Sequence, residues 1–165
     1  MQLMYLNLGC GSRFHEQWSN IDFKPNPPDV VGHNLLKGIP FKNQTFEVVY
    51  HSHLLEHLKK KQAKSFLHEC FRVLVPKGTI RVVVPDLEQI VRCYLQKLEG
   101  VAEHSKFRPD YDWILVELFD QMVREQSGGE MKKLLTAEQI PNQEFILERI
   151  GLEAQRIVDS HKNTG

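Results

Sequence analysis

Two periodicities alternate along this 165-residue chain. Near the start, short apolar runs end in glycine or polar residues. YLNL at 5–8 runs into GCGS, SNID at 19–22 into FKPNPP, DVVGH at 29–33 into NLL, and FEVVYH at 46–51 into SH. Each has the length and make-up of a strand. From Ala63 the period becomes helical: Ala63, Phe66, Leu67, Cys70, Phe71 and Leu74 share one apolar face. VPKG at 75–78 ends that helix, and TIRVVV at 79–84 predicts a central strand covered on both faces. Asp86 is placed to cap a second helix. Its stripe of Leu87, Ile90, Val91, Tyr94, Leu95 and Leu98 is expected in the core.

Further on the signal is weaker. A loop is expected over 100–109, a helix over 110–123 and a break at SGGE, 127–130. A helix over 136–150 must hold Pro141 in its first turn or kink there. Gly151 follows as its C′ residue. LEAQRIVDS at 152–160 alternates as an edge strand would, and 161–165 reads as a disordered tail.

Strands alternating with helices predict an α/β fold: a Rossmann-like open, mostly parallel sheet with helices on both faces. One domain is expected over 1–160, with 101–135 a helical segment on the substrate side. Charge changes the picture only by exclusion. With 21 basic and 21 acidic residues, the chain lacks the positive excess of nucleic-acid or membrane-surface binders. Cys10, Cys70 and Cys93 are widely spaced without a CxxC, which fits reduced thiols. There is no leader pattern and no long apolar span, so no membrane span and a cytoplasmic setting are expected.

Ligands of open α/β sheets bind at the carboxyl ends of the strands, and polar groups collect there. Gly9-Cys10-Gly11 follows the first strand and Asp22 ends the second, where a carboxylate can accept both hydroxyl hydrogens of a ribose. His33-Asn34-Leu35 follows the third; Asn34 has the donor and acceptor that suit an adenine edge. His51-Ser52-His53 ends the fourth and Asp86 follows the fifth. Together these describe a nucleoside site. The dinucleotide fingerprint does not fit, because its third glycine would be Phe14. The spacing to Asp22 also leaves no room for a full helix whose N-terminus could hold a pyrophosphate. A nucleoside without phosphates fits better.

The string LNLGCGSRF…NIDF…HNLLKGIPFKNQTFEVVYHSHLLEHL…CFRVLVPKGTIRVVVPD resembles the class I S-adenosylmethionine-dependent methyltransferases, most closely the type 11, UbiE-like subgroup. The resemblance implies that the cofactor is S-adenosyl-L-methionine. It places Gly9, Cys10 and Gly11 beside the methionine part, Asp22 at the ribose, and Asn34 and Leu35 at the adenine. His51, Ser52 and His53 would line the methionine end next to the acceptor. Asn7 stands where the family has an acid facing the cofactor ammonium, and Arg13 replaces the loop's third glycine. The family sheet ends with two further strands after the last helix, where this sequence offers one, so the sheet is expected to lack its last strand. The implied reaction moves a methyl group to a small-molecule, lipid or sugar acceptor. The alternative is a cofactor-binding module without its own activity, serving a partner domain or subunit.

HLLEH, His53 to His57, also matches the H-x-x-E-H string of inverted zinc peptidases. The match is five residues long and lies within a segment the nucleoside site already accounts for, so no metal is expected. His57 reads as a helix-start residue packed against the sheet. His53, and after it His51, are the candidate bases for methyl transfer, because histidine titrates near neutrality.

Overall fold

The computed structural model describes residues 4–123 and 128–162. The chain divides into two compact units, Met1–Pro85 and Asp86–Gly165. The first holds β1 (Tyr5–Leu8), β2 (Ser19–Asp22), β3 (Val30–Gly32), β4 (Phe46–Ser52), α1 (Lys60–Val73) and β5 (Leu74–Val83). The five strands are all parallel, in the order β3-β2-β1-β4-β5. This is the Rossmann-like α/β architecture that the alternating pattern predicts. The chain builds outward from β1 to β3, then returns to β1's other side for β4 and β5. The order therefore reverses between β1 and β4, the position where open α/β sheets leave a crevice for ligands.

The period-two pattern gives the sheet two unlike faces. Leu6 and Leu8 lie in register with Val49 and His51, and Leu8 with Ile21. These apolar residues pack with Phe66, Cys70 and Val73, the buried stripe of α1. The Gln62 side chain accepts the Lys59 N–H at 3.0 Å and closes the first turn of α1. Near its other end, Arg72 donates to Glu69 (2.7 Å) and to the carbonyls of Phe41 and Ile39 (2.8 Å each). That clamp ties α1 to the β3–β4 connection. The opposite face is aromatic and polar: Trp18 lies 5.0 Å from Tyr5 and 6.3 Å from Tyr50, ring to ring. The Arg81 guanidinium sits 5.6 Å from the Tyr50 ring.

Two expectations for this unit change. β5 begins at Leu74, directly after α1, so VPKG lies inside the strand. Phe46 pairs with Leu74 and Val48 with Thr79, and the residues between form a bulge with Lys77 at φ +69°. A bulge accommodates Pro76, which a regular ladder would exclude. β5 is also the sheet's edge rather than a doubly covered centre, and Val82 is exposed. A β-branched run reads the same in either place.

The second unit is helical: α2 (Leu87–Glu103), α3 (Arg108–Val123), α4 (Gly129–Leu135), α5 (Gln143–Ile150) and α6 (Leu152–Lys162). Asp86 caps α2 by accepting the Gln89 N–H at 3.1 Å. α2 carries on through Gly100, so the loop expected over 100–109 shrinks to a 3₁₀ turn, Ser105–Phe107, and its flanks. Of the α2 stripe Ile90 is buried, but Leu87, Val91, Leu95 and Leu98 are exposed, so the stripe is only partly core. Of the break at 127–130, Ser127 lies outside the described residues, and Gly129 already starts α4. The helix expected over 136–150 begins only at Gln143; Pro141 sits in the link before it, and Gly151 ends it at φ +70°.

The expected edge strand at 152–160 is instead α6. Its buried residues, Ala154 and Val158, are four apart, and over so short a run four-residue spacing also satisfies a period of two. α6 includes His161 and Lys162, the first residues of the expected tail; 163–165 lie outside the described residues. Trp113, Leu135, Ile146, Ala154 and Val158 form this unit's core. Both Glu117 carboxylate oxygens accept from Arg149 at 2.6 Å, and one also accepts the Trp113 indole N–H at 3.1 Å. The buried carboxylate is thereby fully paired.

Candidate functional site

The site is built from the loops that leave β1, β2 and β4. The turn after β1 needs its glycines. Gly9 has φ +65° and Gly11 φ +54°, a region that suits glycine. A Cβ on Gly9 would stand 3.1 Å from the Leu54 side chain, which comes from the segment after β4. The two loops flanking the crevice therefore meet at Gly9. Around Gly11 no atom lies within 4 Å of such a Cβ, so the turn opens onto free space.

Asp22 binds this turn to the next strand end. One carboxylate oxygen accepts the Gly11 N–H at 2.9 Å and the other accepts the Lys24 N–H at 2.9 Å. A carboxylate has about four lone-pair sites, so acceptor capacity remains for two ribose hydroxyls. The Cys10 thiol is pushed up to about 11, by burial first and then by the Asp22 charge. It lines the turn as a small neutral group, without thiolate reactivity.

No helix separates β1 from β2, and two buried asparagines replace its support. Asn7 and Asn20 are in register on neighbouring strands. The Asn7 amide donates to the Arg13 carbonyl (3.1 Å) and to Asn20 Oδ1 (3.3 Å). Asn20 donates to the carbonyls of His15 (2.9 Å), Trp18 (2.9 Å) and Asp29 (3.2 Å). Asn7, expected to meet a cofactor ammonium, thus has its amide engaged in holding the loop from below. For Asn7 the signal was present, a polar residue inside an otherwise apolar strand; Asn20 sits in the polar string SNID and gave none.

At β3 the His33 N–H donates to the Asp22 carbonyl at 2.8 Å. Asn34 caps the 3₁₀ turn Leu35–Lys37, its Oδ1 accepting the Leu36 N–H at 3.0 Å. Leu35 packs against the first unit's core. These residues stand at the expected strand end, with the Asn34 acceptor already engaged in the cap.

The end of β4 differs. His51 is completely buried, edge-on to Phe66 with ring centroids 5.1 Å apart. Among the described residues neither ring nitrogen has a hydrogen-bond partner. Burial lowers its pKa, opposed by the Glu56 charge, and the ring is held neutral. His51, expected at the acceptor and cofactor, therefore faces α1 and touches no open space. Ser52 is half-buried at the strand's last position. His53 follows with φ +50°, unusual for a residue with a side chain. Its backbone N–H donates to the Val83 carbonyl at 2.9 Å, and its side chain is 54% exposed.

His53 Nδ1 lies 3.2 Å from Glu56 Oε1, in the 3₁₀ turn Leu55–His57. The carboxylate oxygens of Glu56 are closed off from solvent. Burial alone would raise its pKa; the close approach of His53, its own backbone and the His57 and His53 charges outweigh this and hold it below the usual value. Reading the sequence for site residues missed Glu56, whose only signal was the HLLEH string. α1 starts at Lys60, so His53 and His57 do not share a helical face; His57 is exposed, where packing against the sheet was expected. Among the described residues no three His, Cys, Asp or Glu side chains are grouped to hold a metal.

Residues 6–82 match the family model of a methyltransferase domain. Members of this family use S-adenosylmethionine as methyl donor. No curated protein matches the chain. The matched segment runs from β1 into β5 and contains every element that shapes the crevice. That segment is similar to the methyltransferase domains of the class I, S-adenosylmethionine-dependent kind.

Proposed function

We propose that the protein transfers a methyl group to a small-molecule, lipid or sugar acceptor, with His53 facing the acceptor. One observation supports the placement of the cofactor: Asp22 bridges the Gly11 and Lys24 backbone N–H groups beside β1, the strand from which the sheet order reverses. In this reading Gly9, Cys10 and Gly11 border the methionine moiety, Asp22 holds the ribose, and Asn34 and Leu35 flank the adenine. Ser52 and His53 border the methyl-bearing end. The cofactor supplies an electrophilic methyl on a sulfonium. The protein's part is alignment, which supplies roughly 7–11 kcal/mol in favourable cases, and removal of the acceptor's proton where it has one. His53 fits that second task by exposure and position. His51 is too buried for it and acts as packing.

Choice of acceptor is assigned to 101–135, the segment outside the family match. No described helix is long and apolar enough to cross a membrane, which is compatible with a cytoplasmic enzyme. The alternative, a binding module serving a partner, differs in one measurable respect. An enzyme releases S-adenosylhomocysteine when incubated with the donor and pooled hydroxylated, aminated and lipid acceptors. Release above the protein-free rate supports the enzyme. Cofactor binding with no release from any pool supports the module.

A further inference from the structure

Three features stand apart from the cofactor cradle. One is a cleft in the helical unit, lined by Trp113, Ile140 and Arg108 among others. The second is the exposed stripe of α2. The third, and the best supported, is the buried carboxylate behind His53. A carboxylate out of contact with water is retained only where it is paired or used. Glu117 in the second unit shows the ordinary solution, with both oxygens held by Arg149. Among the described residues Glu56 has no guanidinium or ammonium partner; its charged neighbours are imidazoles. His53 contacts it directly, His57 acts on it electrostatically, and it acts in turn on buried His51.

Only His53 of these three combines direct contact with exposure at the crevice-side end of β4. Its φ of +50° is strained, and such strain persists where the surrounding structure enforces it. Three local contacts do so: the backbone bond to Val83, the approach of Leu54 to Gly9, and the Glu56 contact. We infer that Glu56 is the positioning residue for His53: it binds Nδ1, fixes the ring's orientation and tautomer, and leaves Nε2 as the atom that takes a proton. An acid that orients a histidine base is a general device for keeping its second nitrogen aimed at the reacting group. The inference rests on the reading of His53 as the residue facing the acceptor.

The test follows the His53 ring signal by NMR through a pH titration, in the wild type and in Glu56→Gln. Titration of S-adenosylhomocysteine into both proteins runs in parallel. His51, His57 and His53 are assigned from single His→Asn variants, because all three sense Glu56. Removing the charge should lower the His53 midpoint by about one unit, since a neighbouring carboxylate favours the imidazolium. Cofactor affinity should change less than twofold. If Glu56→Gln does not fold, Glu56→Asp, which keeps the charge but withdraws it by one methylene, should give a smaller fall. An unchanged midpoint in the folded variant overturns the pairing, whether or not the cofactor binds. A midpoint that falls in Glu56→Gln, with a wild type that takes up no S-adenosylhomocysteine, overturns the cofactor reading, and with it the positioning role.

Discussion

The ends of β1 and β4 lie side by side in the sheet and handle their polar groups in opposite ways. After β1 the polar groups are paired locally. Asp22 accepts two backbone N–H groups, Asn7 and Asn20 take up the loop carbonyls, and the unusual φ values fall on glycines. After β4, a histidine ring is buried without a partner, a carboxylate is buried among imidazoles, and the unusual φ falls on His53. Satisfied groups make a rigid cradle suited to binding. Strained and underpaired groups are retained at a stability cost and mark where chemistry is done. On the proposed reading, affinity belongs to one loop and rate to the other.

The largest effect should come from the β4 side. His53→Asn keeps a residue that tolerates positive φ but loses the base. Turnover should fall about 10²-fold or more, with S-adenosylhomocysteine affinity unchanged. Initial rates of S-adenosylhomocysteine release check this, and a wild-type rate would leave alignment alone to drive transfer. Next come the cradle glycines. Gly9→Ala should destabilise by about 2–3 kcal/mol, from left-handed backbone strain of about 1–2 kcal/mol plus the 3.1 Å approach of Leu54. Gly11→Ala meets nothing within 4 Å and should show the strain alone. Urea unfolding of the pair separates the two, and equal losses would deny that the loops meet at Gly9.

A smaller effect concerns the clamp behind the cradle. Arg72 first, and then the Ile39 N–H, hold the Glu69 carboxyl down at about 2 against burial. A lowered acid pKa contributes stability above the unfolded value, 4.5, that is lost as pH falls toward 2. Glu69→Gln should therefore cost about 1–2 kcal/mol at neutral pH and flatten the stability profile across that window. Denaturant titrations between pH 2 and 5 read both.

The smallest change should be at His51. Its pKa is lowered by burial, so the unfolded chain binds a proton that the folded one refuses, and stability falls as pH drops below 6.5. His51→Leu should be neutral or slightly stabilising at pH 7, because no hydrogen bond is lost. It should also remove that histidine's share of the acid sensitivity, as melting scans at pH 5.5 and 7.5 would show. A loss of several kcal/mol would mean that His51 has a partner here unrecognised.

Much of this was legible in the chain because punctuation is local. Gly9, Gly11 and Asp22 announced the turn that joins β1 to β2, since a tight turn and a strand-end acid depend on neighbours in sequence. The five parallel strands followed from their apolar runs. What was hidden depends on partners distant in sequence or on ambiguous periods. Asn7 was expected as a ligand contact, and its amide N–H groups also donate to Arg13 and Asn20, a structural task that the sequence did not announce. His51 was expected to line the methionine end beside the acceptor, but its register beside Leu8 turns it toward Phe66. Glu56 was masked inside a string that also fits a zinc peptidase. Ala154 and Val158 satisfied a strand and a helix alike, and only packing decided between them.

The assignment of binding to the β1–β2 loops is tested most directly by calorimetric titration of S-adenosylhomocysteine into the wild type and Asp22→Asn. Asparagine keeps the size of the carboxylate and one acceptor oxygen, so the turn should stay folded. The account predicts saturable binding to the wild type and a loss of affinity of at least about tenfold in the variant, as expected when hydrogen bonds to a charged group are weakened. Equal affinity in the two proteins, or no binding to the folded wild type, would contradict it.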